Sequence, residues 1–371
     1  MKIKSLIALS ILIQPALSYG ENVSPFDGAP IQDKFQPVNI GYAQEVIKKF
    51  NFNVLPLNSH LVYGEPFFAS SLYDDEYIYR TAFPINKVIK VYSSNGVVFK
   101  KNKDYIVTKL GIRITNNSSI KKAPIGYTDD ISDDDLKNYG VKNSTEVQSY
   151  QYYIAYEKNE KYEPKHFGKI TYKCKECAVT FFGDSITLGA NASYIYSEPH
   201  QPPYVDIVMN YMANKHKNIK WSYRNTGVGG WSTNNAASAY PWRVNDKKAD
   251  IIMLGFGMND GGSVSPSQYK QNLSKVIIGV RKENPNVPIV LIGSTRANPK
   301  AKIQFEEFVT QYRIVLAELA REYKNVAFAD VTDAWDFLRK NKSYYDLTGN
   351  GLNHPNDFGH RVIANVVISA L

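Results

Sequence analysis

Four short segments in the second half of the chain carry residue types suited to acyl-transfer chemistry. The first, Gly183-Asp184-Ser185, halts the apolar run Ala178-Val179-Thr180-Phe181-Phe182 where a buried strand would otherwise continue. A serine at the carboxyl end of a strand, opening the next helix, lies where open α/β sheets bind ligands. The positive end of such a helix favours a developing oxyanion. The second segment, Asn225-Thr226-Gly227-Val228-Gly229-Gly230-Trp231, has glycines that let backbone N–H groups approach a bound group. The third, Gly257-Met258-Asn259-Asp260, offers a side-chain amide donor, and the fourth, Asn353-His354-Pro355-Asn356-Asp357-Phe358-Gly359-His360, an imidazole just before a helix starting at proline. Each alone reads as an ordinary loop. In this order, at successive strand ends, they supply a nucleophile, two oxyanion donors and a base.

The elements that must position them alternate from Cys177 onward. Strands are expected at Ala178 to Phe182, Ile219 to Arg224, Ile251 to Phe256, Ile289 to Ile292 and Val326 to Ala329. Helices are expected at Tyr204 to Lys215, Ser232 to Tyr240, Pro266 to Lys282, Ile303 to Tyr323 and after Pro355. That order specifies a parallel sheet with helices on both faces, an α/β fold. From Leu61 to Tyr172 the pattern is different: short alternating segments at Val88 to Tyr92, Val97 to Lys100, Tyr105 to Thr108, Ile112 to Thr115, Val147 to Tyr156 and Lys169 to Tyr172, separated by turn-rich spacers. This reads as an antiparallel sandwich. The tyrosines Tyr150, Tyr152, Tyr153 and Tyr156 are either sugar-stacking surfaces or simply alternating core residues. Ahead of this region, Tyr42 to Phe50 is a short helical candidate.

A chain of 371 residues exceeds what one core usually organises. The expected division is an export signal over residues 1–20, a β-rich domain over 21–172 that is a candidate for carbohydrate binding, and the α/β domain over 173–371. The signal reading rests on Lys2 and Lys4 before an apolar stretch from Leu6 to Leu17, with small residues at Ala16, Ser18 and Gly20. That stretch is too short to span a bilayer, so the expected location is periplasmic or secreted. The formal net charge of +9 is spread through lysines without a nucleic-acid reader motif, which argues against nucleic acid as the partner. Cys174 and Cys177 stand directly before the serine strand. In an exported chain a small-loop disulfide leads over a free pair or half a metal site, since no further ligands lie nearby.

On its four segments, the last half of the chain resembles the SGNH hydrolase superfamily, the GDSL-type esterases and lipases. The matching blocks are Gly183-Asp184-Ser185, the glycine turn ending at Gly230, Gly257-Met258-Asn259-Asp260 and His354-Pro355. The resemblance implies a flavodoxin-like α/β/α sheet over 173–371. It assigns Ser185 as nucleophile, His354 as base, and the N–H groups of Ser185 and Gly230 with the Asn259 side chain as the oxyanion hole, with no metal or organic cofactor. The family usually places an aspartate three residues before the histidine, where this chain has Gly351. Either a Ser-His dyad operates, its histidine held by a backbone carbonyl as in similar carbohydrate esterases with a β-sandwich (jelly-roll-like) domain ahead, or a displaced acid serves, with Asp346 and Asp357 as candidates. His360 is expected near the site or capping the last helix. The expected substrate is an O-acetylated cell-wall, capsular or other glycan. The alternatives are a lipase or lysophospholipase, and a glycan-binding protein whose hydrolase domain is inactive. The oligomeric state is left open.

Overall fold

The computed structural model describes residues 35–38, 55–124, 144–194 and 197–371, so the expected signal over 1–20 and the helix over 42–50 lie outside the described residues. In the first half the strands are β1 (Gln36–Pro37), β2 (Leu61–Phe68), β3 (Tyr79–Arg80), β4 (Lys87–Tyr92), β5 (Val98–Phe99), β6 (Tyr105–Thr108), β7 (Gly111–Ile114), β8 (Gln151–Glu157) and β9 (His166–Phe167), with helix α1 (Ser144–Ser149) before β8. They form two antiparallel sheets, ordered β2-β8-β4-β5 and β3-β7-β6. The alternation that predicts β8 begins only at Gln151. Val147 was expected at the start of that strand but sits on the helical turn of α1, packed with Phe68, Ala123 and Leu352. The strand expected at Lys169 to Tyr172 is not formed. The side chain of Asn325 satisfies that backbone instead, accepting from Thr171 N at 2.8 Å and donating to Thr171 O at 2.9 Å.

The second half carries β10 (Glu176–Gly183), α2 (Ser185–Leu188), α3 (Tyr204–Lys215), β11 (Lys220–Asn225), α4 (Thr233–Arg243), β12 (Ile251–Gly255), α5 (Pro266–Glu283), β13 (Ile289–Ile292), α6 (Glu306–Glu322), β14 (Val326–Ala329), α7 (Val331–Arg339), α8 (Tyr344–Leu347) and α9 (Asp357–Ser369). Strands β11, β10, β12, β13 and β14 lie parallel in that order. Strand β10 is buried on both faces. Phe181 joins the core packed with Val205, Val208 and Val362, while Phe182 joins the opposite one with Leu254, Val276 and Leu316. The sheet is not purely parallel, because β1 adds antiparallel to β11 and β9 adds antiparallel to β14. Two strands from the first half thus close the edges of the second half's sheet, leaving less free ladder at either side.

The two halves share one apolar core, in which Val62, Phe67, Tyr156, Trp335 and Val362 belong to a single cluster. Buried polar groups cross the same seam. Lys342 Nζ donates to Pro66 O at 2.6 Å and to Arg80 O at 2.8 Å, and pairs with Glu65 at 3.3 Å, both side chains fully buried. Glu65 also accepts from Ala82 N and from the Tyr156 hydroxyl, each at 2.7 Å. Removing one member of such a buried pair leaves an uncompensated charge. Lys342→Ala is therefore expected to destabilise the protein by about 3 to 5 kcal/mol in urea unfolding. A change below about 1 kcal/mol would show that the pair does not hold the halves together.

Candidate active site

The serine turn is built by exclusion of side-chain volume. At Gly183, the last residue of β10, an added Cβ would collide with Thr187 Oγ1 and the Gly255 carbonyl. Asp184 then caps α2, its carboxylate accepting from Ile186 N at 2.9 Å. Helix α2 has a single turn before Gly189, so the long helix dipole expected behind Ser185 is not there. The positive field comes instead from individual N–H groups. Among the described residues, neither the Ser185 N–H nor the Gly230 N–H has a protein acceptor.

The glycine turn is drawn over the serine by its backbone. Thr226 N donates to Phe181 O at 2.8 Å and Val228 N to Gly183 O at 2.9 Å, while Asn225 Nδ2 reaches Thr187 O at 2.6 Å. A Cβ built on Gly229 would stand 3.9 Å from Ser185 Cβ, so the turn faces the hydroxyl. Gly230 has φ of +77°, a left-handed conformation that glycine adopts without strain. Asn259 comes from the loop after β12, and its Nδ2 donates to Trp231 O at 2.9 Å. One amide proton is left to point elsewhere. Asp260 fixes this arrangement from below, its buried carboxylate accepting from the Thr233 N–H at 2.8 Å and from the Thr233 hydroxyl at the start of α4. Burial pushes Asp260 up to about 6 and Asp184 up to about 7, against backbone donors that pull both down.

His354 closes the site from the far end of the chain, with Nε2 2.9 Å from Ser185 Oγ. Its loop is shaped by Asn350, whose Oδ1 accepts from the N–H groups of Leu352 and Asn353 at 3.0 Å and of His354 at 3.2 Å. The N-terminal half clamps it. Gln151 Nε2 donates to Tyr345 O at 2.6 Å and to Thr348 O at 2.7 Å. Burial alone holds the imidazole well below its usual value, at about 4.

Neither candidate acid reaches this histidine. Asp346 belongs to the capping box of α8, accepting from Ser343 N at 2.6 Å and from Phe68 N at 2.7 Å. Asp357 opens α9 and accepts from Ser193 N at 2.7 Å. Asp346 is spent on a helix start, where backbone N–H groups lack partners, and Asp357 on the backbone of the loop before α3. Gly351, at the family's usual acid position, has φ of +73°, and a Cβ there would lie 2.6 Å from Tyr345 Cε1. An aspartate does not fit. The atom that faces His354 Nδ1 is neither a carboxylate nor a backbone carbonyl but Asn191 Oδ1, at 3.2 Å. Asn191 escapes sequence reasoning because it sits in an aperiodic turn. His360 is buried behind that turn, its Nε2 3.1 Å from Ala190 O and its Nδ1 accepting from Tyr204 N at 3.4 Å. Cys174 and Cys177 form a disulfide, with Cα atoms 5.5 Å apart, at the start of β10. Among the described residues, no group of three His, Cys, Asp or Glu side chains is placed to hold a metal ion.

The packing around the serine turn predicts unequal tolerance of two glycine changes. Gly183→Ala forces an overlap with backbone and is expected to cost about 3 kcal/mol in urea unfolding. Gly230→Ala meets nothing within 4 Å and is expected to cost only about 1 kcal/mol, from its left-handed backbone. The reverse order would contradict the geometry of the turn.

Residues 181–362 match the GDSL-like lipase/acylhydrolase family. No curated protein sequence matches the chain. Among solved structures the chain is similar to one described as a GDSL-like lipase, from Parabacteroides merdae, with 21% identity over 54% of this chain and 98% of that one and a TM-score of 0.46. It is similar to an acetylxylan esterase variant from Geobacillus stearothermophilus, with 20% identity over 53% and 94% and a TM-score of 0.44. A lipase/acylhydrolase from Enterococcus faecalis gives 19% identity over 52% and 93% and a TM-score of 0.42. None of these structural likenesses is close enough to bear on substrate. Residues 181–362, just under half of the chain, thus correspond to a GDSL-like lipase/acylhydrolase domain.

Proposed function

We propose that the protein is an exported serine esterase that removes O-acetyl groups from a glycan, with Ser185 as nucleophile and His354 as general base. The observation that carries this reading is the 2.9 Å contact between Ser185 Oγ and His354 Nε2, together with N–H groups of Ser185 and Gly230 that have no protein acceptor among the described residues. His354 takes the hydroxyl proton as Ser185 Oγ attacks the ester carbonyl. The carbonyl oxygen becomes an oxyanion held by the N–H groups of Ser185 and Gly230 and the free amide proton of Asn259. As the tetrahedral intermediate collapses, the bond to the alcohol breaks and the His354 imidazolium returns the proton to the leaving oxygen. Water, deprotonated by His354, then attacks the acyl-enzyme, releasing the carboxylic acid and restoring the Ser185 hydroxyl.

Export is supported by the signal-like composition of residues 1–20 and by the Cys174–Cys177 disulfide, which persists in oxidising compartments. A polymeric substrate is supported by a second, β-rich half whose Gln151 and Phe68 bond the segment leading into the histidine loop. The basic surface favours an anionic polymer or envelope.

The test is hydrolysis of nitrophenyl esters from acetyl to decanoyl, wild type beside Ser185→Ala. Serine-dependent activity concentrated on acetyl is expected. A preference for long chains would favour a lipase, and inertness on every ester and on acetylated glycans a binding protein. Asn259→Ala is expected to lower kcat about a hundredfold to a thousandfold without loss of folding, and an undiminished kcat would remove Asn259 from the oxyanion hole. The pH profile follows from burial of the base. His354 works only when neutral, and the imidazole is pushed down to about 4. Thus kcat/KM is expected to rise with pH through that value and to stay level above about 5. An acidic limb near the ordinary histidine value would contradict a base whose proton affinity is lowered by desolvation.

A further inference from the structure

We propose that Asn191 is a positioning residue for the catalytic histidine, a neutral amide standing where relatives place a carboxylate, and that Gln148 of the N-terminal half holds it there. This rests on the esterase reading above. For Ser185 to donate to Nε2, the imidazole proton must sit on Nδ1, and the group facing Nδ1 must accept. Asn191 Oδ1 lies 3.2 Å from that nitrogen.

The turn that carries Asn191 is fixed on every side. Its φ of +62° is left-handed, a conformation asparagine tolerates better than most residues. Ala190 N donates to Ser185 O at 3.0 Å, so the turn is tied to the nucleophile itself. His360 holds Ala190 O at 3.1 Å. Gln148 Nε2 donates to Asn191 O at 3.3 Å, bringing the helix before β8 into the site. Gly349 leaves room for the amide, since a Cβ there would stand 2.7 Å from Asn191 Cβ and 2.6 Å from Gln148 Nε2.

An amide fixes the tautomer as an aspartate would, but it brings no charge to stabilise the imidazolium. The titratable groups around His354 are His360 on α9, buried and neutral, and Asp184 beside the nucleophile, whose carboxylate is turned to the N–H of Ile186. Asp346 and Asp357 are held by backbone donors of other elements. The base is left without a counter-ion, which agrees with its depressed affinity for protons.

The test is steady-state hydrolysis of nitrophenyl acetate across pH by wild type, Asn191→Gly and Asn191→Asp. Glycine keeps the left-handed backbone and removes the acceptor, and kcat is expected to fall about a hundredfold with KM nearly unchanged. Aspartate keeps the shape and adds charge. The acidic limb of kcat/KM is then expected to move up by about one to three pH units, a position that does not depend on how much of the variant is folded. Unchanged kcat in Asn191→Gly together with an unmoved limb in Asn191→Asp, while wild type hydrolyses the ester through Ser185, would overturn the inference alone. Absence of Ser185-dependent hydrolysis in wild type would overturn the esterase reading and this inference with it.

Discussion

The contact between Ser185 Oγ and His354 Nε2 joins residues 169 positions apart. A hydrogen bond between two turns that far separated survives only if both turns are rigid, because a displacement of about 1 Å already costs on the order of a hundredfold in rate. Much of the architecture serves that requirement. The serine turn is fixed because β10 is buried on both faces and ends where no side chain fits. The histidine loop has no such scaffold of its own. It is an aperiodic stretch between one short helix and one long one, held by Asn350 from within and by Gln151 from outside.

The N-terminal half is therefore part of the site's construction and not merely attached to it. Its strands β1 and β9 close the edges of the catalytic sheet, and its buried polar groups reach Lys342, Asp346, Thr348 and Asn356. These bonds are formed across a water-excluded seam, where an unmade partner is costly. The seam converts folding of one half into order at the other half's histidine. Partial burial of the imidazole disfavours its charged form and so lowers its affinity for a proton.

The blocks around Ser185, Gly230, Asn259 and His354 were legible in the sequence because each is a contiguous run of special residue types at the end of an apolar strand. The parallel sheet was legible for the same reason: Ile289 to Ile292 and Val326 to Ala329 are continuous apolar runs of the kind a strand covered on both faces carries. What escaped is what depends on partners distant in the chain. Strands β1 and β9 have two residues each, too few for a period to register. Asn191 gains its meaning from a histidine 163 positions away. Asp346 and Asp357 were reasonable acids by type and proximity in sequence, but residue type does not reveal that one carboxylate is committed to a helix start and the other to the N–H of Ser193. Gly351 marks a departure from the family's usual pattern, and the group that faces His354 Nδ1 comes from a different turn, at Asn191.

The central claim is that Ser185 is made nucleophilic by His354. It is tested most directly by treating the protein with an alkyl fluorophosphonate, which traps an activated serine as a covalent phosphonate ester, and mapping the adduct by peptide mass spectrometry. One adduct is expected, on Ser185, formed rapidly by wild type and slowed about a hundredfold or more by His354→Ala. An adduct on another residue, or labelling of Ser185 at the same rate without the histidine, would contradict it.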